Sequence, residues 1–534
     1  MDTEKVLLIL FIVSTAVAIG ARRLRVPFTV ALVIAGVVLG ATQAFTPPHL
    51  TKGLLYSLFL PGLLFEAAFH LEWNRFWQNK AAILGLAVPG VAGAMAIAAV
   101  LLVPAVRALD FAHQFSYLHG LVFAAAIAAT DPIAVVAMFR SLGAPRRLSM
   151  LLEGESLLND GTAAVLFSLV LAVAMGEQAS LGSAGVEFVR AVGVGVLVGA
   201  AVGFAISKVI QQIHDPLVEI TLTTIAAYGS FLAAEGAHAS GVISTVVTGM
   251  LCGNYAARTG MRASTRVAVE AFWEYVTFAL NSIVFLLIGF EVSLRSLAVY
   301  WRPILVAYLA VTASRAVIIS AVTILLRRTR ERVPWAWSAV LTWGGLRGGL
   351  SMVLVLGLPA SFGNRNLLIT MTFGVVVLSI LLQGLTMGPV LRMLKVVDAS
   401  AGRLAYEMHR GSLRGAEAAL KEVDRLAREG LVSAAVLDAL RAHYRDKVDA
   451  LRASTQKLHL EKGQLLEEER QDVARQLLAV EKEQLIALFQ DGFIGRPAFD
   501  RLVGELDARL LQLEAAANAD AEGEEMPSRQ PDPR

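Results

Sequence analysis

Five side chains in two neighbouring apolar runs could bind a cation and a proton in turn. Thr130 and Asp131 lie in Ala128-Ala129-Thr130-Asp131-Pro132; Ser156, Asn159 and Asp160 lie in Gly154-Glu155-Ser156-Leu157-Leu158-Asn159-Asp160-Gly161. Their side chains offer hard oxygen ligands, which suit hard cations. A carboxylate among such oxygens takes either a small monovalent cation or a proton, and that competition is the simplest chemistry of exchange. A charge near a bilayer centre is costly, so such residues mark an ion path, a proton relay or a buried pair. Pro132 weakens any helix at this point and frees backbone carbonyls to turn toward an ion.

At about 100° per residue, Glu155, Ser156, Asn159 and Asp160 fall at about 0°, 100°, 40° and 140° around a helix, so they share one polar arc. The rest of that run is Leu, Val, Ala and Phe, so the arc faces protein or water and not lipid. Ser and Asn often form only a packing network; Asp160, central in its run, is the hardest to explain that way. Arg315 and Arg347 also sit mid-run, and a buried guanidinium needs an anionic partner. Glu155 is the expected partner, with Arg347 favoured over Arg315, in a pair that holds the structure and does not carry cargo. Glu66, in Leu64-Phe65-Glu66-Ala67-Ala68, reads as a site acid or as one that snorkels to the surface. Glu153 reads as an acid at a helix start. His70, His113, His119, His214 and His238 lie near run ends without metal-ligand spacing, and no transport role is expected of them.

These residues need a membrane frame. The chain has 534 residues, is 56% hydrophobic and only 17% charged. The first 400 positions hold 27 Lys/Arg and 19 Asp/Glu, whereas the remaining 134 hold 20 and 25. This contrast predicts an all-α membrane domain over 1–395, a helical cytoplasmic domain over 396–515 and a disordered acidic tail over 516–534. Cys252, the single cysteine, has no internal disulfide partner. The first apolar run follows acids and precedes Arg22, Arg23 and Arg25, the reverse of a secretory signal, so it reads as a retained helix.

Apolar runs predict thirteen spans, near 6–21, 28–45, 53–70, 81–103, 118–139, 150–175, 186–207, 217–234, 239–256, 271–293, 302–326, 335–358 and 367–394. Loops on one side hold 18 basic residues and those on the other hold seven. The N-terminus is therefore expected outside and the tail in the cytoplasm. The fifth run is broken by Thr130-Asp131-Pro132 and the twelfth by Gly344-Gly345-Leu346-Arg347-Gly348-Gly349. Two broken helices in corresponding, oppositely directed positions point to inverted repeats around a midplane site. The tail carries a faint duplication, Gly430-Leu431-Val432 onward against Gly492-Phe493-Ile494 onward, which fits a small helical domain that binds itself, a second protomer or a regulator.

With these residues placed, the chain resembles the monovalent cation:proton antiporter family that includes the prokaryotic NhaP proteins and the animal sodium/proton exchangers. The resemblance runs over about residues 5–395. It rests on Thr130-Asp131-Pro132, on Gly154 through Asp160, on Leu63-Leu64-Phe65-Glu66 and on Gly344-Gly345-Leu346-Arg347-Gly348. It implies a homodimer, two crossed broken helices and alternating access by movement of a core domain against a dimer domain. It also implies that Asp160 is the shared cation and proton site, with Asp131, Thr130, Ser156 and Glu66 as supporting ligands for Na⁺. Asn159 stands where electrogenic relatives carry a second aspartate, which implies one proton per cation.

The leading expectation is therefore electroneutral exchange of Na⁺, Li⁺ or K⁺ for H⁺ across the cell membrane, with no cofactor and no nucleic-acid partner. A proton-coupled K⁺ exchanger is the near alternative. A gated channel would use the same polar path, but no repeated carbonyl filter or acidic ring is present. A membrane enzyme or sensor would place its work in the tail, which offers no nucleophile–base or metal constellation. The charge count yields a topological prediction. An Ala144→Cys variant should resist an impermeant thiol reagent added to intact cells and react in everted vesicles; labelling from outside would reverse the orientation.

Overall fold

The computed structural model describes residues 3–24, 27–42, 55–109, 114–176, 181–213, 215–257, 261, 263–291, 293–329, 331–397, 400–429 and 434–461, with scattered positions from 474 to 509. It forms two compact units, 1–398 and 399–534. Among the described residues all regular structure is helical.

Helices lie over every predicted run. They are α1 (Thr3–Leu24), α2 (Phe28–Thr42), α3 (Leu60–His70), α4 (Lys80–Ala108), then the broken pair α5 (Tyr117–Ala126) and α6 (Ile133–Leu142). There follow α7 (Arg146–Ala174), α8 (Leu181–Ile210), α9 (Pro216–Gly236), α10 (Gly241–Leu251), α11 (Ala263–Glu291) and α12 (Trp301–Leu326). A second broken pair, α13 (Trp335–Trp343) and α14 (Gly349–Leu356), precedes α15 (Arg365–Met393). Seven of these helices are long and apolar enough to cross a membrane. The runs at 217–234 and 239–256 form separate helices, joined by a tight turn in which His238 has φ 54°.

Local chemistry sets many ends. Ser116 caps α5 in a reciprocal capping box with His119, which satisfies two of the donors that every helix start leaves free. Asp215 accepts from Leu217 N and Val218 N, with Pro216 at the first helical position of α9. Gly143, left-handed at φ 71°, ends α6. Glu153 lies well inside α7, not at a helix start as its sequence context suggested, and pairs with Arg140 at 3.5 Å.

Packing sorts the membrane unit into two groups. α1, α2, α3, α8, α9, α10 and α11 pack mainly on one another, and so do α4, α5, α7, α12, α13, α14 and α15. The tail unit pairs α16 (Ser400–Glu429) with α17 (Ala434–Glu461). Arg441–Asp424 and Arg452–Glu417 bridges tie the two as an antiparallel hairpin. Positions 430–432, 492 and 516–534, on which the duplication and the acidic tail were read, lie outside the described residues, as do His113 and His214.

Candidate functional site

The two breaks cross. The Asp131 N–H donates to Leu346 O at 2.7 Å. Arg347 Nη1 donates to Ala128 O at 2.7 Å and to Ala129 O at 3.4 Å. Four half-helix ends meet here, and each leaves backbone groups without an intrahelical partner. Side chains supply the partners. Asp131 Oδ1 accepts from Ile133 N at 3.1 Å, capping α6 with an acid at its positive end. Arg347 places a cation at the carbonyl end of α5. Arg315 does the same for α13, donating from Nε and Nη2 to Leu341 O at 3.1 and 3.0 Å.

Two glycines of the second break make this crossing possible. A Cβ on Gly348 would run into the Asp131 side chain, and one on Gly345 into the Arg315 guanidinium. Each glycine thus leaves room for one charged group.

Glu155 pairs with Arg315, not with Arg347 as the sequence had favoured. The contact is bidentate, Nη1 to Oε1 at 2.9 Å and Nη2 to Oε2 at 2.8 Å. The reason is reach: Arg347 is committed to the α5 carbonyls, and its backbone N–H to Ser379 Oγ at 3.1 Å. Glu155 remains an electrostatic neighbour of Arg347 without touching it.

The polar arc of α7 divides along its length. Ser156 and Asp160 line a cavity of about 290 Å³ together with Glu66, Thr130, Asp131 and Gly348. Glu155 and Asn159 line a second, smaller void of about 40 Å³ that also touches Arg315 and Arg347. Asn159 is therefore not among the cavity-facing residues with which it was grouped. Its Nδ2 donates to Ala128 O at 3.0 Å and to Thr130 Oγ1 at 3.2 Å, so it holds the first break in shape. Ser156 Oγ donates to Thr130 O, a second strut on the same turn. The Thr130 backbone N–H faces the Asp160 carboxylate, while Asp160 Oδ1 is buried with no hydrogen-bond partner among the described residues.

Glu66 lines the large cavity with His70, which lies 3.3 Å from its Oε1, and with the Arg140–Glu153 pair. His70, assigned no role from sequence, thus sits on the cavity wall. Two further residues were missed: Thr277 and Asn281 of α11 also face the cavity. Their signal was present, a polar pair four residues apart in an apolar run, the spacing of one helix face.

The comparisons with known proteins bear on the family and the fold. The family described as sodium/hydrogen exchanger, transmembrane, matches residues 7–393. The Na⁺/H⁺ antiporter ApNhaP of Aphanothece halophytica is 38% identical over 406 residues, covering 74% of this chain and 76% of its own. The low-affinity Na⁺/H⁺ antiporter NhaS1 of Synechocystis is 36% identical over 394 residues, 72% of each chain. The solved sodium proton antiporter MjNhaP1 from Methanocaldococcus jannaschii superposes with TM-score 0.60 at 17% identity, covering 73% of this chain and 98% of its own. That likeness establishes the fold.

The pairing can be measured. Arg315→Ala leaves Glu155 buried and unpaired, and should cost about 3–5 kcal/mol of stability. Glu155→Ala combined with it should lose less than the two singles sum to, whereas Glu155→Ala and Arg347→Ala should come much closer to additivity. Thermal melting in detergent reads both cycles; strict additivity for Glu155 with Arg315 would refute the pair. By its match to the family model over residues 7–393 and its 38% identity to an antiporter relative, the chain belongs to the transmembrane sodium/hydrogen exchanger family.

Proposed function

We propose that this chain is a secondary antiporter that exchanges Na⁺ for H⁺ at Asp160. The observation that carries this reading is the unpartnered Oδ1 of Asp160 beside a cavity walled by Asp131, Thr130, Ser156 and Glu66. A buried acceptor left without a partner is costly. A cation or a proton each relieves that cost, and one carboxylate cannot serve both together. Competition at Asp160 then couples the two ions. Asp131 steadies the site through its cap on α6, and Thr130, Ser156 and Glu66 supply or position further oxygens. Li⁺ and K⁺ are the competing monovalent cargoes, and no cofactor enters the reading.

The charges favour one proton per cation. Glu155 neutralises Arg315, and the one exchanging carboxylate, Asp160, takes one monovalent ion or one proton at a time. Asn159 cannot release a proton, and its amide nitrogen is occupied with the break.

Along α3 the cavity lining changes from Glu66 and His70 to Leu60 and Phe59; along α11 it changes from Thr277 and Asn281 to Val284 and Phe285. With the tail cytoplasmic, the polar end is the inner one and the apolar end closes toward the outside. Exchange then proceeds by movement of the helix group bearing the aspartates against the group bearing α3 and α11. The reading places the chain in the cell membrane as a homodimer surrounded by lipid, with 396–515 as a cytoplasmic regulatory domain.

Asp160→Asn should abolish cation-driven proton movement in reconstituted vesicles while the protein still inserts. In the wild type the apparent KM for Na⁺ should rise as pH falls, because protons occupy the carboxylate the cation needs. Normal exchange by Asp160→Asn, or a KM indifferent to pH, would overturn the shared site.

Stoichiometry has its own test. A potassium–valinomycin potential imposed at matched Na⁺ and H⁺ gradients should drive no net proton movement. A two-proton exchanger would respond by about 2.3 kcal/mol per 100 mV for each net charge moved.

A further inference from the structure

Every oxygen assigned to the cation so far comes from α3, from the break before α6 or from α7. The wall formed by α11 carries none of them, yet four of its residues face the cavity: Thr277, Asn281, Val284 and Phe285. Their spacing makes a single stripe along the helix. The stripe is divided, with a hydroxyl and an amide at one end and two apolar side chains at the other.

The hydroxyl lacks the local partner that many helical hydroxyls of this protein have. Thr221, Thr245 and Thr370 each donate to the carbonyl one turn back, at 2.8, 3.0 and 2.9 Å. Ser282, on α11 itself, does so at 2.6 Å. Thr277 Oγ1 is shielded from solvent yet has no hydrogen-bond partner among the described residues, a condition it shares with Thr29, Tyr308, Ser351 and Thr372; of these five, Thr277 is the one that lines the cavity. Asn281, one turn further on, is 5% exposed. Val or Leu at these places would leave no polar group to satisfy. Both side chains face the space that leads to Asp160.

We propose that Thr277 and Asn281 are specificity-determining residues of the exchange, replacing part of the hydration shell of the monovalent cation as it approaches Asp160. This rests on the exchange function proposed above and deepens it. A hydroxyl and an amide carbonyl add oxygen ligands without adding charge. Li⁺, Na⁺ and K⁺ differ in size and in the cost of dehydration, so oxygens on a fixed wall favour one of them. α11 packs with α2, α3 and α9, while the aspartates belong to the other helix group. The pair therefore meets the cation only when the carboxylates face this cavity, and its influence belongs to one side of the membrane.

The test uses the full chain in everted and right-side-out vesicles, with Na⁺, Li⁺ and K⁺ each driving proton movement. Thr277→Val and Asn281→Leu should each raise the apparent KM for Na⁺ about fivefold on the face bearing Arg140, the weight of one net hydrogen bond. The Na⁺-to-Li⁺ KM ratio should change, the KM from the opposite face should move little, and turnover per inserted protein should fall far less than affinity. Thr277→Ser should restore the KM, and Asn281→Ser carries the test if Asn281→Leu does not insert. Unchanged KM values, equal shifts on both faces, or a loss that Thr277→Ser does not rescue would overturn the proposal while an active wild type leaves the exchange reading intact. A wild type that moves no protons with any of the three cations overturns both.

Discussion

The membrane unit is built around one electrostatic problem, the burial of four half-helix ends at a single crossing. In a bilayer no water is at hand to satisfy the backbone groups freed at a break, and each would cost several kcal/mol if left alone. The protein meets this with charge of matching sign. Asp131 stands at the positive end of α6, while Arg347 and Arg315 stand at the carbonyl ends of α5 and α13. Glu155 then stabilises Arg315, whose charge would otherwise be unpaired in the interior. The arginines that look most like functional residues are thus required by the backbone, and their presence lets irregular chain exist at membrane depth.

The division of α7 follows from that requirement. Its polar arc is wide enough to face two environments. The edge with Glu155 and Asn159 belongs to the crossing, where an amide and a carboxylate satisfy an arginine, a threonine and a carbonyl. The edge with Ser156 and Asp160 belongs to the cavity. A one-residue step along the helix rotates a side chain by about 100°, so neighbours in sequence serve different purposes.

The two helix groups give the cavity two unlike walls. The aspartates ride on one, while Glu66, Thr277 and Asn281 stand on the other. These oxygens thus come from elements that pack mainly within different groups. The cavity lining turns apolar toward Phe59, Leu60, Val284 and Phe285, where an ion would have no ligands.

The sequence by itself determined the membrane class, the place of the long apolar helices and the two breaks, because hydropathy, proline, glycine and isolated charge are local properties that a bilayer judges harshly. It also marked Arg315, Arg347 and Glu155 as needing partners. It could not choose between the two arginines, since which one reaches Glu155 depends on where the second break lies against the first. Asn159 and Asp160 were grouped on one arc for the same reason: helical geometry sets their angle to each other, but only the positions of α5, α6 and the cavity decide which edge faces the ion. Thr277 and Asn281 passed unnoticed because a polar pair on one helix acquires meaning only when a distant helix sets a carboxylate across from it. Tertiary structure decided these matters because the energies concerned, a bidentate buried pair and a hydroxyl without a partner, depend on distances between residues far apart in the chain.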